Sequence, residues 1–277
     1  MSATTSQAME AINRRTWRSD EALHWFRQLE GFIDPAEQVC FERLRSEITG
    51  ARVLDLGVGA GRTTRHFLGM AADYVGIDYT PEMVAACRAK HPRAQILEGD
   101  ARDLSRFADG TFDLVSFSFN GIDAVDLEGR RRVLAEVHRV LRPGGAFFFS
   151  TMNRDGPDFR SGRPTGRHAG STSNPIRLAG RWLRIAWGWT RGLVRRWLHR
   201  RHEEVSGEHA ILLHAAHDSG ILVYATTFSE LLQQVEQAGF LPPEVLSPRT
   251  GAALRLEQLR EEPYFQLIAR RAPAAPA

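Results

Sequence analysis

Short apolar runs alternate with helix-forming stretches from residue 51 to residue 151. Val53, Leu54 and Leu56 form the first run, Tyr74, Val75 and Ile77 the second, Phe112 to Phe117 the next and Ala146 to Ser150 the last. Each is too short for a helix. Apolar residues on adjacent positions suit strands covered on both faces, as in a parallel sheet. Helices are expected between them near 62–68, 81–90 and 129–140, which makes the segment a βαβ succession with helices on both faces of the sheet. Ahead of it the pattern predicts helices over 21–31 and 35–49, the second with Asp34 as N-cap and Pro35 in its first turn. After Ser150 the rhythm breaks. Residues 152–175 are rich in Gly, Pro, Ser, Thr and Asn and read as a loop, and 176–201 read as a helix. The rhythm resumes with a helix over 228–239, whose Leu231, Leu232, Val235 and Ala238 have helical spacing, and with strands over 244–247 and 264–269. The organisation is therefore 1–50, helices ahead of the sheet; 51–151, the sheet core; 152–226, an insertion; 227–271, a closing helix and strands; and 272–277, a Pro/Ala tail expected to be disordered.

The first apolar run leads directly into Gly57, Gly59 and Gly61, with Asp55 inside the run. Such glycines permit a turn that side chains obstruct and let a ligand approach the backbone. A dinucleotide fingerprint needs glycines at its first, third and sixth positions. Counted from Gly57 the sixth position is Arg62, so the NAD pattern fails. The pattern present, D-x-G-x-G-x-G, resembles the first motif of class I S-adenosylmethionine (SAM)-dependent methyltransferases. Asp78 ends the second strand, where an acid can accept both ribose hydroxyls of an adenosine. Leu97 to Arg102 resemble the third motif, Phe112 to Asn120 the fourth strand, and Leu141-Arg142-Pro143-Gly144-Gly145 the turn before a fifth. The resemblance is close over 50–150 and loose over 226–270, and does not extend to the insertion.

The resemblance implies a Rossmann-like, seven-stranded methyltransferase sheet with a helical insertion after strand five. It further implies SAM as cofactor, S-adenosylhomocysteine as product, and a place among enzymes acting on small molecules in secondary or envelope metabolism. Asp55, Gly57, Gly59 and Gly61 would hold the methionine moiety and Asp78 the ribose. Tyr79 and Met83 would flank the adenine, which Asp100 and Ala101 would meet at its polar edge. Arg102 and Phe117 complete the candidate cofactor site. The leading helices would close over the cofactor, with Trp17, Trp25 and Phe26 as lid or core residues.

Composition narrows the class. The first ten residues are polar without an apolar h-region, so no signal peptide is expected, and no run of ~18 apolar residues suggests a membrane span. Cys40 and Cys87 have neither a disulfide framework nor metal-ligand spacing. They are expected to pack on helices, no metal site is expected, and a reducing cytoplasm is the expected location. Charge is uneven. From Phe159 to His202 there are eleven arginines and no Asp or Glu; with a formal net charge of +3, the remainder stands at −8. Four of the six tryptophans fall in the same stretch. On a wheel of ~100° per residue, Leu178, Trp182, Ile185, Ala186, Trp189, Leu193 and Trp197 take one side and Arg177, Arg181, Arg184, Arg191 and Arg195 another. Three roles fit: docking of the Trp/Leu face on the catalytic domain, peripheral contact of 177–200 with an anionic membrane, and, less favoured, a grip on nucleic acid.

In open α/β sheets ligands bind beyond the carboxyl ends of the strands. An insertion leaving strand five starts on that edge and is placed to form the acceptor pocket or its lid. Methyl transfer from a sulfonium requires alignment of the acceptor and exclusion of water, and a base only when the acceptor arrives protonated. The end of strand four lacks an Asn-Pro-Pro-Tyr motif, which weighs against nucleobase and glutamine amines. Asn120 either hydrogen-bonds an acceptor or holds the turn. His214 or His217 is a candidate base, within a group that also includes His209 and Asp218, with packing and metal binding as the alternatives. The expected function is methyl transfer to a small-molecule acceptor. An RNA- or lipid-directed methyltransferase, or a non-catalytic SAM-binding regulator, is the alternative.

Overall fold

The computed structural model describes residues 3–160, 190–214 and 220–274. Residues 161–189, with most of the expected basic helix, and 215–219, with His217 and Asp218, lie outside the described residues, as does the second half of the 272–277 tail.

The expected strands form where the apolar runs lie: β1 (Arg52–Leu56), β2 (Asp73–Asp78), β3 (Gln95–Glu98), β4 (Phe112–Phe117) and β5 (Leu141–Asn153). They align in parallel in the order β3-β2-β1-β4-β5. Near the C-terminus β9 (Glu244–Leu246) and β10 (Tyr264–Arg270) complete the sheet, with β10 antiparallel to β5 and β9 antiparallel to β10. These are the seven strands the resemblance implies. The period-2 alternation of side chains divides them between two cores. Val53, Leu114, Phe148 and Ile268 face one side, with Cys40 and Phe41 of helix α3 (Pro35–Arg43) and Cys87 of α6 (Pro81–Lys90). Leu54, Val115, Phe147, Phe149 and Leu267 face the other, against Val133, Leu134 and Val137 of α7 (Leu127–Val140) and Leu231 and Val235 of the Phe228–Gln237 helix. Both cysteines are thus buried packing residues, and burial raises the Cys87 thiol to about 11.

Three further strands were not expected: β6 (Glu204–Val205), β7 (His209–His214) and β8 (Ile221–Thr226). They belong to the insertion, so its described part is strand as well as helix. Met152 of β5 pairs with Tyr264 of β10 and with Ala225 of β8. A strand residue has only two edges, so β8 takes the edge that β4 occupies as far as Phe149. The patch β8-β7-β6 therefore starts where β4 stops, beyond its carboxyl end. The expected 152–175 loop accordingly begins later, because Met152 and Asn153 still belong to β5.

Helix α1 (Ala3–Trp17) covers this patch. Met9 packs with Ile211, Leu213, Leu222 and Tyr224. Asn13 Nδ2 donates to the Leu222 carbonyl and its Oδ1 accepts from the Leu222 N–H, both at 2.8 Å, as a neighbouring strand would. α2 (Asp20–Gln28) follows. The expected 35–49 helix divides at Leu44 into α3 and α4 (Arg45–Ile48). A capping box starts α3: Asp34 accepts from the Glu37 N–H at 2.8 Å, and Glu37 accepts from the Asp34 N–H at 3.1 Å.

Candidate functional site

The glycine turn after β1 adopts left-handed backbone at Gly57 (φ 62°), Gly59 (φ 55°) and Gly61 (φ 92°). At Gly57 the requirement is double, since a Cβ there would also stand 2.8 Å from the Phe117 ring. Asp78, at the end of β2, stabilises the turn from the neighbouring strand. Its Oδ2 accepts from the Gly59 N–H at 2.9 Å and its Oδ1 from the Thr80 N–H at 2.8 Å. Burial raises its carboxyl above the usual range, and these two N–H groups oppose the shift. The Thr80 side chain adds a third contact, and a carboxylate with about four lone-pair sites keeps acceptor capacity on the cavity side.

Asp100, past the end of β3, carries the second acid. Arg102 grips it from one side, its Nη2 lying 2.6 Å from Oδ2 and its Nε 3.0 Å from Oδ1. Burial works to raise the Asp100 carboxyl, but Arg102's hydrogen bonds and charge prevail and hold it below the usual carboxylate range. Arg102 Nη1 also reaches Glu10 of α1 at 3.1 Å, and the Arg14 guanidinium stands 5.1 Å from the Tyr79 ring centroid. α1 is thereby tied to this end of the sheet.

Beyond β4 the chain is strained. Phe119 (φ 57°) and Asn120 (φ 59°) are consecutive non-glycine residues in left-handed backbone. That conformation is unfavourable for a bulky side chain and persists only where its surroundings enforce it. Here the enforcing group is Arg62. It makes a buried, bidentate ion pair with Glu37 of α3 at 2.7 and 2.6 Å, donates to Ser118 Oγ at 2.8 Å, and lies 4.6 Å over the Phe119 ring. Trp25 of α2 also stacks on Phe119, with ring centroids 6.1 Å apart. The Asn120 N–H donates to Ser150 Oγ at 2.7 Å and its Nδ2 contacts Met152 Sδ at 3.2 Å, while Oδ1 is buried with no hydrogen bond among the described residues.

These groups surround one cavity of about 390 Å³, within the ~300–1,000 Å³ typical of small-molecule sites. Gly57, Gly59, Asp78, Tyr79, Met83, Asp100, Ala101 and Phe117 line one part of it. Trp17, Trp25, Phe26, Phe119, Asn120, Met152, His214, Ile221 and Val223 are among those that line another, and the lining is predominantly apolar. Ten of the expected site residues thus share one cavity, counting Asn120 and His214. Three others do not line it. Asp55 is buried behind the turn, where Thr63 Oγ1 and Tyr74 OH donate to it at 2.8 and 3.0 Å; it supports the loop from below. Gly61 packs against α6, where a Cβ would lie 2.8 Å from His91 and 3.1 Å from Cys87 Sγ. Arg102 orients Asp100 from outside. His217 lies outside the described residues.

The histidine group is divided by strand geometry. His209 and His214 sit five apart on β7 and so face opposite sides of the sheet. His209 stacks on Tyr224 and its Nδ1 lies 3.1 Å from Glu230, away from the cavity. Sequence reasoning missed Arg62 as an organising residue, along with Glu37 and Asn13. The Asp34-x-x-Glu37 capping spacing was readable; Glu37's second role, facing Arg62, arises only when α3 packs on the glycine turn.

Comparison with known proteins agrees with this geometry. Residues 53–145 match the family model described as a methyltransferase domain. A probable S-adenosylmethionine-dependent methyltransferase of Mycolicibacterium smegmatis is 34% identical over 145 residues, 52% of this chain and 51% of that protein. A demethylmenaquinone methyltransferase of Renibacterium salmoninarum is 35% identical over 98 residues, 35% of this chain and 40% of that protein. The chain spans about half the length, or less, of these curated relatives. Among solved structures, a 1,6-didemethyltoxoflavin-N1-methyltransferase of Burkholderia thailandensis, with 1,6-didemethyltoxoflavin and S-adenosylhomocysteine bound, superposes with a TM-score of 0.57 at 16% identity, over 98% of this chain and 92% of that one. An S-adenosylmethionine-dependent methyltransferase of Mesorhizobium loti gives 0.53 at 22% identity, over 85% of this chain and 98% of that one. These two likenesses establish the fold.

Proposed function

We propose that this chain, whose residues 53–145 belong to the class I SAM-dependent methyltransferase family, transfers a methyl group from SAM to an apolar small molecule. The observation that carries the reading is the two-part cavity. One part has acids at two neighbouring strand ends and an open glycine backbone; the other has aromatic and aliphatic walls with few polar groups.

The donor set fits SAM. Asp78 keeps acceptor capacity for the ribose, and Asp100, held anionic by Arg102, is placed for the adenine amino group beside Ala101. Tyr79 and Met83 supply flat, apolar contact for the base, and the Gly57–Gly59 backbone meets the amino-acid end. When bound, SAM would supply an electrophilic methyl group, open to in-line attack by an acceptor atom as the bond to sulfur breaks and S-adenosylhomocysteine leaves.

The remaining residues position that acceptor. Trp25, Phe26 and Phe119 exclude water and select a flat, apolar molecule. Asn120 Oδ1, buried without a donor among the described residues, accepts a hydrogen bond from an acceptor hydroxyl or amine and turns its lone pair toward the methyl. His214 is the base that removes the proton of such an acceptor. The Arg62–Glu37 pair holds Phe119 and Asn120 in place and stays out of the chemistry.

Calorimetric titration with S-adenosylhomocysteine tests the cofactor assignment. Asp78→Ala is expected to weaken binding at least ~10-fold, the effect of losing one charge-assisted hydrogen bond, with an unchanged circular dichroism spectrum. Retained affinity in the folded variant overturns the assignment.

A further inference from the structure

The helical stretch 190–199 is reversed relative to a helix packed on its own domain. Leu193, Val194 and Trp197 share one face and are 66%, 56% and 68% exposed, and Leu198 beside them is 46% exposed. The opposite face carries Arg191, Arg195 and His199, all partly buried against the protein. Arg191 Nη1 pairs with Glu21 Oε2 of α2 at 3.2 Å. Long arginine stems can cover apolar surface while their heads find an acid, and here they free the apolar face to point outward. The expected docking of the Trp/Leu face on the catalytic domain is therefore reversed for Leu193 and Trp197.

Arg196 and Arg200, both exposed, flank the outward stripe, and Arg201 follows. From Phe159 to His202 no acid occurs in the sequence. Glu203, the next acid, accepts from the Leu213 N–H at 3.1 Å. An apolar stripe with an interfacial tryptophan and flanking guanidinium groups matches the boundary of an anionic bilayer: side chains enter the acyl region and arginines meet phosphate. A second copy of the chain fits less well, because a two-fold contact would set Arg196 and Arg200 against their own copies. Nucleic acid would engage the arginines and leave Leu193, Val194 and Leu198 against phosphate.

The same helix is coupled to the cavity. Glu21, which holds Arg191, is one turn from Trp25 on α2, hence on the same face, and Trp25 and Phe26 line the apolar part of the cavity. We propose that residues 190–199 seat the protein on an anionic membrane surface, apolar stripe inward, with the cavity beside the lipid so that an amphiphilic acceptor enters from the bilayer. The docking stands on the helix alone; the acceptor clause rests on the methyltransferase reading above.

Flotation of the full chain with vesicles tests it. Phosphatidylcholine vesicles are compared with vesicles containing about one-third phosphatidylglycerol, at low and moderate salt. The expected result is at least tenfold stronger partitioning to the anionic vesicles, weakened by salt. The Leu193→Ser/Trp197→Ser double variant is expected to lose it about tenfold, with unchanged circular dichroism and S-adenosylhomocysteine affinity. Absence of partitioning to either vesicle overturns the proposal. So does undiminished partitioning of the double variant, which would mean attraction by arginines alone, and so does a chain dimer that the double variant abolishes. Failure of the methyltransferase reading shows separately, as absent S-adenosylhomocysteine binding with partitioning intact.

Discussion

Asp55 and Asp78 end adjacent strands twenty-three residues apart and do different work. Asp78 faces the cavity and keeps acceptor capacity for a ligand. Asp55 is enclosed, and burial raises its carboxyl to about 6, against the hydrogen bonds of Thr63 and Tyr74 and the charge of Arg62. A carboxyl raised in the fold is favoured when protonated, so its contribution is complete below about pH 4 and lost as pH rises through 6. Asn at position 55 can accept the same two hydrogen bonds and does not titrate. Relative to Asp55→Asn, the unsubstituted chain should therefore lose about 2 kcal/mol of unfolding free energy between pH 4 and pH 6.5. Urea titrations of both proteins across that range measure it, and parallel pH profiles would remove the assigned ionisation. His214 is the other test at this scale. Replacing a general base lowers turnover by about 10²–10⁴, so His214→Ala should reduce kcat by that order at saturating SAM and leave S-adenosylhomocysteine affinity unchanged. Unchanged turnover would remove His214 from the mechanism.

Between elements, the decisive contact is Arg62 with Glu37. Both are buried, and Arg62 links α3, the glycine turn and the strained Phe119–Asn120 corner. Removing one member of a buried pair leaves the other charge without compensation, which costs about 3–5 kcal/mol. Glu37→Gln should lower unfolding free energy by that amount in urea titration; a loss under about 1 kcal/mol, the value for exposed pairs, would mean Arg62 is compensated elsewhere. Legibility in the sequence differed among elements for a physical reason. α6 was readable over its whole length because Pro81 at its start and apolar positions at helical spacing are local signals. β8 was not, although Ile221 to Ala225 is a continuous apolar run. Its antiparallel partner β7 is near in sequence, but its place in the sheet is set by Met152, on a strand some seventy residues earlier, and by the Asn13 side chain, about two hundred residues away. No local pattern encodes those pairings.

For the molecule as a whole, the seven-stranded sheet provides the part of the cavity proposed for the cofactor, while α1, α2 and the β7–β8 patch wall the part proposed for the acceptor. Ligand that binds only the folded chain stabilises it by mass action. S-adenosylhomocysteine at a hundredfold excess over its Kd should raise the unfolding free energy by about 3 kcal/mol, visible as a higher Tm, and Asp78→Ala should reduce the increment. No increment in the unsubstituted chain would count against ligand binding at this cavity. The sequence alone determined the βαβ core, the glycine turn and the acids at strand ends, because each depends on side-chain period and backbone freedom within a few adjacent residues. The tertiary structure decided that Asp55 supports the turn from behind, that His209 and His214 part company, and that the apolar face of 190–199 turns outward. Those outcomes depend on which surfaces meet. Burial, ion pairing and sheet edges come into being only when distant segments pack together.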